Sequence, residues 1–262
     1  MPTRIVIVTG SLRGTAANCL PALIAHPGVV IAGVLHANGS GTSRWRTLRR
    51  KAMKILRIGP LGAWNGKRIR TWFHHDYGNL RDLCHQSDVP FFEVIGLNSR
   101  EMMDRIKSLK PDLGVSLGNG YIAPRVFELP RLGMINLHSE ILPAYQNAQC
   151  IIWPIYFNDP CTGFTIHEIE RKIDAGRILY QRKYPLRFFP SLEETVRWNK
   201  TTVERDIPAA VAEVCANIEI YKGKAIPQGA GGCYTTPSIW QFWRMVRNNS
   251  RFYRSQQRGT GK

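Results

Sequence analysis

The feature that most constrains this chain is its opening, where two buried-type strands flank one helix within 35 residues. Residues 4–9 hold the β-branched run Ile5-Val6-Ile7-Val8 and end at Gly10. Residues 15–25 place Leu20, Leu23 and Ile24 at helical spacing and stop before Pro27-Gly28. Residues 29–35 return to a continuous apolar run. Parallel strands need a helix-length crossover, and helices on both sheet faces make the strands read as unbroken apolar runs. The expected fold class is therefore α/β with a mainly parallel sheet.

The rest of the chain extends that pattern. Residues 99–109 read as a helix with Ser99 as N-cap, residues 113–117 and 135–138 as short strands, and residues 164–169 as an alternating one. Ser191-Leu192-Glu193-Glu194 marks a helix start, with a serine cap and acids in the first turn. That helix is expected to kink at Pro208 and to run to about Ile218. Beyond Gly223 the glycines cluster and aromatics follow, with Trp240, Phe242 and Trp243 expected in the core or at a dimer contact. The expected division is a core over residues 1–190 and a helical, aromatic-rich C-terminal extension over 191–262, packed on that core. At 262 residues and 44% hydrophobic, the chain can bury a sizeable core.

Charge and cysteine content narrow the classes of function. Thirty-six Lys and Arg against nineteen Asp and Glu give +17, an excess that attracts polyanions. From Arg44 to Arg70 there are ten basic residues and no acid, and a second basic stretch runs from Arg244 to Lys262. In the first stretch Trp45, Leu48, Ala52, Ile55 and Leu56 recur at helical spacing. This segment reads as a solvated helix face, a tRNA-contacting insert or a foothold on an anionic membrane. Six scattered cysteines show no metal-ligand spacing, so no metal site is expected, and a reducing cytoplasm suits them. No apolar run approaches the ~20 residues of a membrane span, and the start of the chain reads as a strand, not a signal peptide.

The residues that carry chemistry lie between 130 and 176. Asn136 and His138, two apart on a strand, leave the same face. An amide donor and an imidazole at a strand's carboxyl end can stabilise an oxyanion and move a proton. Asp174, in Asp174-Ala175-Gly176, suits a tight turn that aims a carboxylate into a cleft. His26, His36, His74, His75 and His85 read as structural, and His167 as a cleft wall.

Four pieces in order, Asn136-x-His138, Ser139 with Leu142-Pro143-x-Tyr145, Thr162-Gly163-x-Thr165 and Asp174-x-Gly176, resemble the folate-dependent formyltransferases. The resemblance covers roughly residues 4–186. It implies a Rossmann-like formyltransferase core and transfer of a formyl group from 10-formyltetrahydrofolate to an amine. It assigns catalysis to Asn136, His138 and Asp174. It also implies that Leu117, Gly120, Tyr121 and Ile122, in a loop before Pro124, together with His167, hold the folate. Where relatives usually carry Arg-Gly after the Tyr, this chain has Gln146-Asn147.

The expected acceptor is a nucleoside-diphosphate amino-dideoxysugar used for surface-polysaccharide (O-antigen) synthesis, in a cytoplasmic enzyme that forms a homodimer. Its short tail around Gly231 to Pro237 resembles the sugar-modifying branch. A methionyl-tRNA acceptor, which would make nucleic acid a partner, is the alternative. An idle basic binding module is the third reading. The basic surplus would serve the diphosphate, with peripheral association to an anionic membrane face.

Overall fold

A computed structural model describes residues 1–39, 44–73 and 77–259, so His74 and His75 lie outside the described residues. The chain opens with β1 (Thr3–Thr9), α1 (Thr15–Ala25), β2 (Val29–Ala37) and α2 (Arg44–Trp72). Next come α3 (Leu80–Gln86), β3 (Phe91–Val94), α4 (Arg100–Leu109), β4 (Leu113–Ser116) and α5 (Pro124–Phe127). β5 (Met134–His138), β6 (Tyr145–Gln146), α6 (Ile152–Phe157), β7 (Cys161–Glu168) and β8 (Ile178–Pro185) follow. The last elements are α7 (Leu192–Ala216), α8 (Ile218–Gly223), β9 (Gly232–Cys233) and α9 (Ile239–Gly259).

The main sheet has the order β3-β2-β1-β4-β5-β7-β8. β3, β2, β1, β4 and β5 are parallel, and β7 and β8 close one edge antiparallel. The parallel strands are almost wholly buried: Ile5, Val6, Ile7 and Val8 have no exposed surface. Ile5 and Ile7 join a core on one face with α1 and α7, while Val6 and Val8 join one with α4 and α5 on the other. From β1 the sheet grows outward through β2 and β3, then resumes on β1's other side at β4. Ligands of such sheets bind at the carboxyl ends of the strands beside that switch.

Local signals account for the helix ends. Ser99 accepts from the Met102 N–H at 3.1 Å, and Ser191 with Glu194 forms a full capping box. Pro208 does not end α7, which runs unbroken to Ala216. A proline removes the N–H that would bond the carbonyl four residues back. Here that carbonyl, on Glu204, accepts from the Asn18 side chain at 3.3 Å, so α1 satisfies it. α2 bends at Gly59, whose φ of +74° lies outside the helical region.

A third core joins the end of α2 to α6, α7 and α9 through Ile69, Trp72, Trp153, Val196, Phe242 and Met245. Of the three C-terminal aromatics expected in the core or at a dimer contact, only Phe242 is buried in the core. Trp240 is 80% and Trp243 61% exposed. Helical phase explains the split, since Phe242 and Met245 share the inward face of α9.

Candidate active site

β5 carries Asn136 and His138 to its carboxyl end, where the antiparallel β7 sets His167 opposite Asn136. The turn between β7 and β8 brings Asp174 back over both. Asp174 sits in the left-handed region, φ +51°, and Gly176 follows where a Cβ would fall 1.9 Å from the Glu168 carbonyl oxygen. Only glycine lets the turn close that tightly. The result is a compact cluster of one amide, two imidazoles and one carboxylate.

Hydrogen bonds fix the imidazole tautomers. His167 Nδ1 lies 2.8 Å from the Glu168 carbonyl, so it donates there, and Nε2 accepts from Asn136 Nδ2 at 3.2 Å. The Asn136 amide keeps one N–H for a ligand. His138 Nε2 donates to the Tyr145 carbonyl at 2.7 Å, which leaves the Nδ1 lone pair 3.5 Å from Asp174 Oδ2. His167 Nε2 stands 3.6 Å from the other carboxylate oxygen.

The electrostatics keep the acid and the base apart. Burial lowers the His138 pKa, and the Asp174 charge and Tyr145 carbonyl only partly oppose it, so a neutral imidazole is favoured. Burial would raise the Asp174 carboxyl. The imidazoles of His167 and His138 beside it and the Asn147 N–H together hold it below its usual range. A neutral base beside an ionised carboxylate can take a proton and have the resulting cation stabilised.

The segment after β5 sets these distances. Glu140 is fully buried and accepts from the Ile151 N–H at 2.7 Å, the Thr162 hydroxyl at 2.9 Å and the Ile141 N–H at 3.3 Å. It thus ties both ends of the 141–151 loop to β7. From that loop the Tyr145 carbonyl orients His138, and the Asn147 N–H donates to Asp174 Oδ2 at 2.8 Å. Asn147 has φ +50°, a conformation asparagine tolerates best after glycine. It therefore suits this turn at the position where the family resemblance implies glycine. The tail contributes too: β9 pairs with β6, and Tyr234 N–H donates to the Gln146 carbonyl at 2.9 Å.

One cavity opens on this cluster, and a second adjoins it. One, about 280 Å³, lies between the loop after β4 and the β7–β8 turn, with Asn136, His138, His167 and Asp174 at its base. Gly120, Tyr121 and Ile122 line it, as expected, but Leu117 does not. The Leu117 side chain is buried in the core, its N–H donates to the Val8 carbonyl, and its own carbonyl accepts from Thr9. Ser116, Gly118 and Asn119 take that wall instead, with Lys172 and Ile173 opposite. The other cavity, about 340 Å³, is lined by Gly14, Thr15, Arg70, Tyr77, Lys200 and Glu204, among others. Both share Ser139 and Ala148. Among the described residues no cluster of His, Cys, Asp or Glu has metal-site geometry.

Sequence reading missed Glu140, while Ser116 and Asn119 belong to the loop it assigned to the folate and Asn147 stood out only as a departure from the family pattern. A carboxylate between a serine and an isoleucine carries no motif, and only the fold shows that its partners come from β7. The positive φ at Asn147 was foreshadowed by its standing where glycine is usual.

This geometry defines a Rossmann-like formyltransferase domain. Residues 79–204 match the family model described as formyl transferase, a span that holds Asn136, His138 and Asp174. The chain is 32% identical over 108 residues to the methionyl-tRNA formyltransferase of Clostridioides difficile strain 630, covering 41% of this chain and 35% of that one. It is 30% identical over 119 residues to the Thermotoga maritima protein of that name, covering 44% and 38%. The chain thus spans about a third of the length of these curated relatives. Glycinamide ribonucleotide transformylase 1 from Symbiobacterium toebii shares the fold, with a TM-score of 0.55 at 14% identity over 88% of this chain and 92% of that one. A sugar N-formyltransferase from Shewanella sp FDAARGOS_354 aligns over 94% and 87%, with a TM-score of 0.54 at 14% identity. Residues 79–204 are thus similar to the formyl transferase family, and the chain shares the fold of solved formyltransferases.

Proposed function

We propose that this chain transfers a formyl group from 10-formyltetrahydrofolate to the amine of a nucleotide-linked amino-dideoxysugar. The observation that carries the reading is that the cavity lined by Asn136, His138 and Asp174 adjoins a second one at Ser139 and Ala148, since group transfer needs two ligands to approach one cluster. The first cavity fits the folate. The Cβ positions of Gly118 and Gly120 face open space, and Asn119 Oδ1 is buried without a partner, ready for a ligand N–H. Leu117 drops out of this reading, while Gly120, Tyr121, Ile122 and His167 stay in it.

Bound there, the folate would supply an activated formyl carbon. The free Asn136 N–H then donates to the oxygen on which negative charge develops. His138 Nδ1 would accept the proton released by the attacking amine, directly or through one water, with Asp174 stabilising the imidazolium. That proton would pass to the folate nitrogen as its bond to the formyl carbon breaks. Arg70 and Lys200, in the second cavity, supply positive charge for an acceptor's diphosphate, although Lys200 already pairs with Glu204 at 2.6 Å. The neighbour named a sugar N-formyltransferase matches nearly the whole chain, which supports this acceptor class. The names of the curated relatives favour the second reading, a methionyl-tRNA acceptor.

The test offers 10-formyltetrahydrofolate with amino-dideoxysugar nucleotides in parallel with charged initiator tRNA. Turnover of a sugar nucleotide, lost in Asn136→Ala, is expected. Turnover of tRNA alone would replace the acceptor, and transfer to neither in a folded protein would remove the enzymatic reading.

A further inference from the structure

The surface built by α2 and α9 breaks two rules of soluble proteins together. Hydrophobic side chains stand in water along α2: Trp45 is 73% exposed, Leu48 59%, Leu56 79%, Leu61 64% and Trp64 64%. At the start of α9, Trp240 and Trp243 are 80% and 61% exposed. Four of the seven tryptophans in the chain stand exposed on these two helices, whereas Trp72 and Trp153 are buried. The two helices touch where Trp72 meets Phe242, and Gly62 and Gly66 approach Ser238 and Thr236. Leu61, Trp64, Trp240 and Trp243 therefore lie near one helix crossing.

The second departure is charge. α2 and α9 together carry fifteen Lys and Arg and not one Asp or Glu. Beyond the aromatic start of α9, its solvent face is arginine: Arg244, Arg247, Arg251, Arg254 and Arg258 are exposed. Most of the +17 excess thus sits on two adjacent helices.

We propose that α2 and α9 form a docking surface for an anionic lipid membrane, on which the chain lies peripherally. The pairing of Trp and Leu with Lys and Arg is what an interfacial helix needs. Apolar side chains enter the headgroup–acyl boundary and cations meet anionic headgroups. Tryptophan suits that boundary because its ring is apolar and its N–H polar. No described helix is long and apolar enough to cross a membrane, so the attachment lies on the surface. Nucleic acid would answer the charge but not the aliphatic residues, because protein–DNA interfaces are polar. A second copy would answer the apolar stripe but bring two acid-free cationic faces together. The proposal stands apart from the formyl-transfer reading.

The test is sedimentation of the whole chain with vesicles of phosphatidylglycerol and phosphatidylcholine, against phosphatidylcholine alone and against tRNA. Retention on anionic vesicles is expected to exceed that on neutral ones at least tenfold, with a blue shift of tryptophan emission. The charge-conserving triple variant Leu56→Ser, Trp64→Ser, Trp240→Ser should lose at least tenfold in vesicle affinity with unchanged thermal unfolding. Replacing Arg100 and Lys107 by Gln, on the distant α4, should change affinity less than twofold. Equal binding by the triple variant would show bare polycation attraction and overturn the proposal. So would absence of vesicle binding, whether the protein is then monomeric, self-associated or bound to tRNA through the same residues.

Discussion

The active-site end of the sheet and the α2–α9 surface invert the usual rules in opposite directions. At the first, ionisable groups are buried: His138 and Asp174 keep about a tenth of their side-chain surface, and Glu140 keeps none. At the second, hydrocarbon is exposed. The buried groups are tolerated because each has a partner at hydrogen-bond distance, several of them backbone groups of the 141–151 loop. The exposed tryptophans have no such partner among the described residues. The contrast separates groups whose position the fold enforces from groups that the fold leaves available.

The sharpest attack on the enforced side is Asp174→Asn. It keeps the shape and removes the charge, so turnover should fall by about 10²–10⁴, the usual range for a lost general acid–base function. The Asp174 charge raises the His138 pKa against the lowering effect of burial. Without it, the acid limb of the pH–rate profile should move to lower pH. A near-normal rate, or a limb displaced upward, would contradict the proton path through His138.

Trp72→Ala attacks the packing that joins the two regions. Trp72 is 1% exposed and packs against Phe242, so thermal or urea unfolding should report a loss of about 3–5 kcal/mol. A loss below 1 kcal/mol would mean that α2 is not fixed to α9.

Glu140 gives a test in pH. Burial lifts its carboxyl to about 8, against an ordinary value of 4.5. Between those limits the folded state holds a proton that the unfolded chain has released, so stability falls as pH rises. From pH 7 to 8 Asp174, held low, is ionised in both states and adds no slope, so the difference between wild type and Glu140→Gln isolates the Glu140 contribution. Wild type should lose up to about 1.4 kcal/mol per pH unit there, and Glu140→Gln should flatten the curve. An unchanged slope in the variant would place the titration elsewhere.

The fold and the triad were legible for different reasons. The apolar runs at residues 4–9 and 29–35 announced a parallel sheet because burial on both faces leaves no room for polar alternation. Asn136, His138 and Asp174 were legible as a spaced motif. Leu117 was misplaced because a contiguous loop cannot reveal that its first residue spends its backbone on β1 and its side chain on the core. Glu140 stayed hidden because its partners are backbone N–H groups and one hydroxyl, which leave no pattern in sequence. The aromatics of α9 could be phased as a helix, but phase alone does not say which face meets protein.

Asn147 distinguishes backbone need from side-chain need. At φ +50°, Asn147→Gly should be nearly neutral, because its function is one backbone N–H to Asp174. Asn147→Val should cost about 1–2 kcal/mol and lower the rate, since a β-branched residue resists that conformation and shifting the turn moves the carboxylate. Equal effects of both changes would assign the role to the side chain instead.

The smallest expected effect is the most discriminating one for the exposed region. Trp64→Ser removes a large indole, yet Trp64 is 64% exposed, so unfolding should change by no more than about 0.5 kcal/mol. Only eight residues along the same helix, Trp72→Ala is expected to cost several times more. If Trp64→Ser destabilises like Trp72→Ala, its ring is covered in solution, and the surface is an internal packing face closed by further protein. If it is neutral, the chain keeps a costly hydrophobe in water for no benefit to its own fold, and its reason must lie in what docks there.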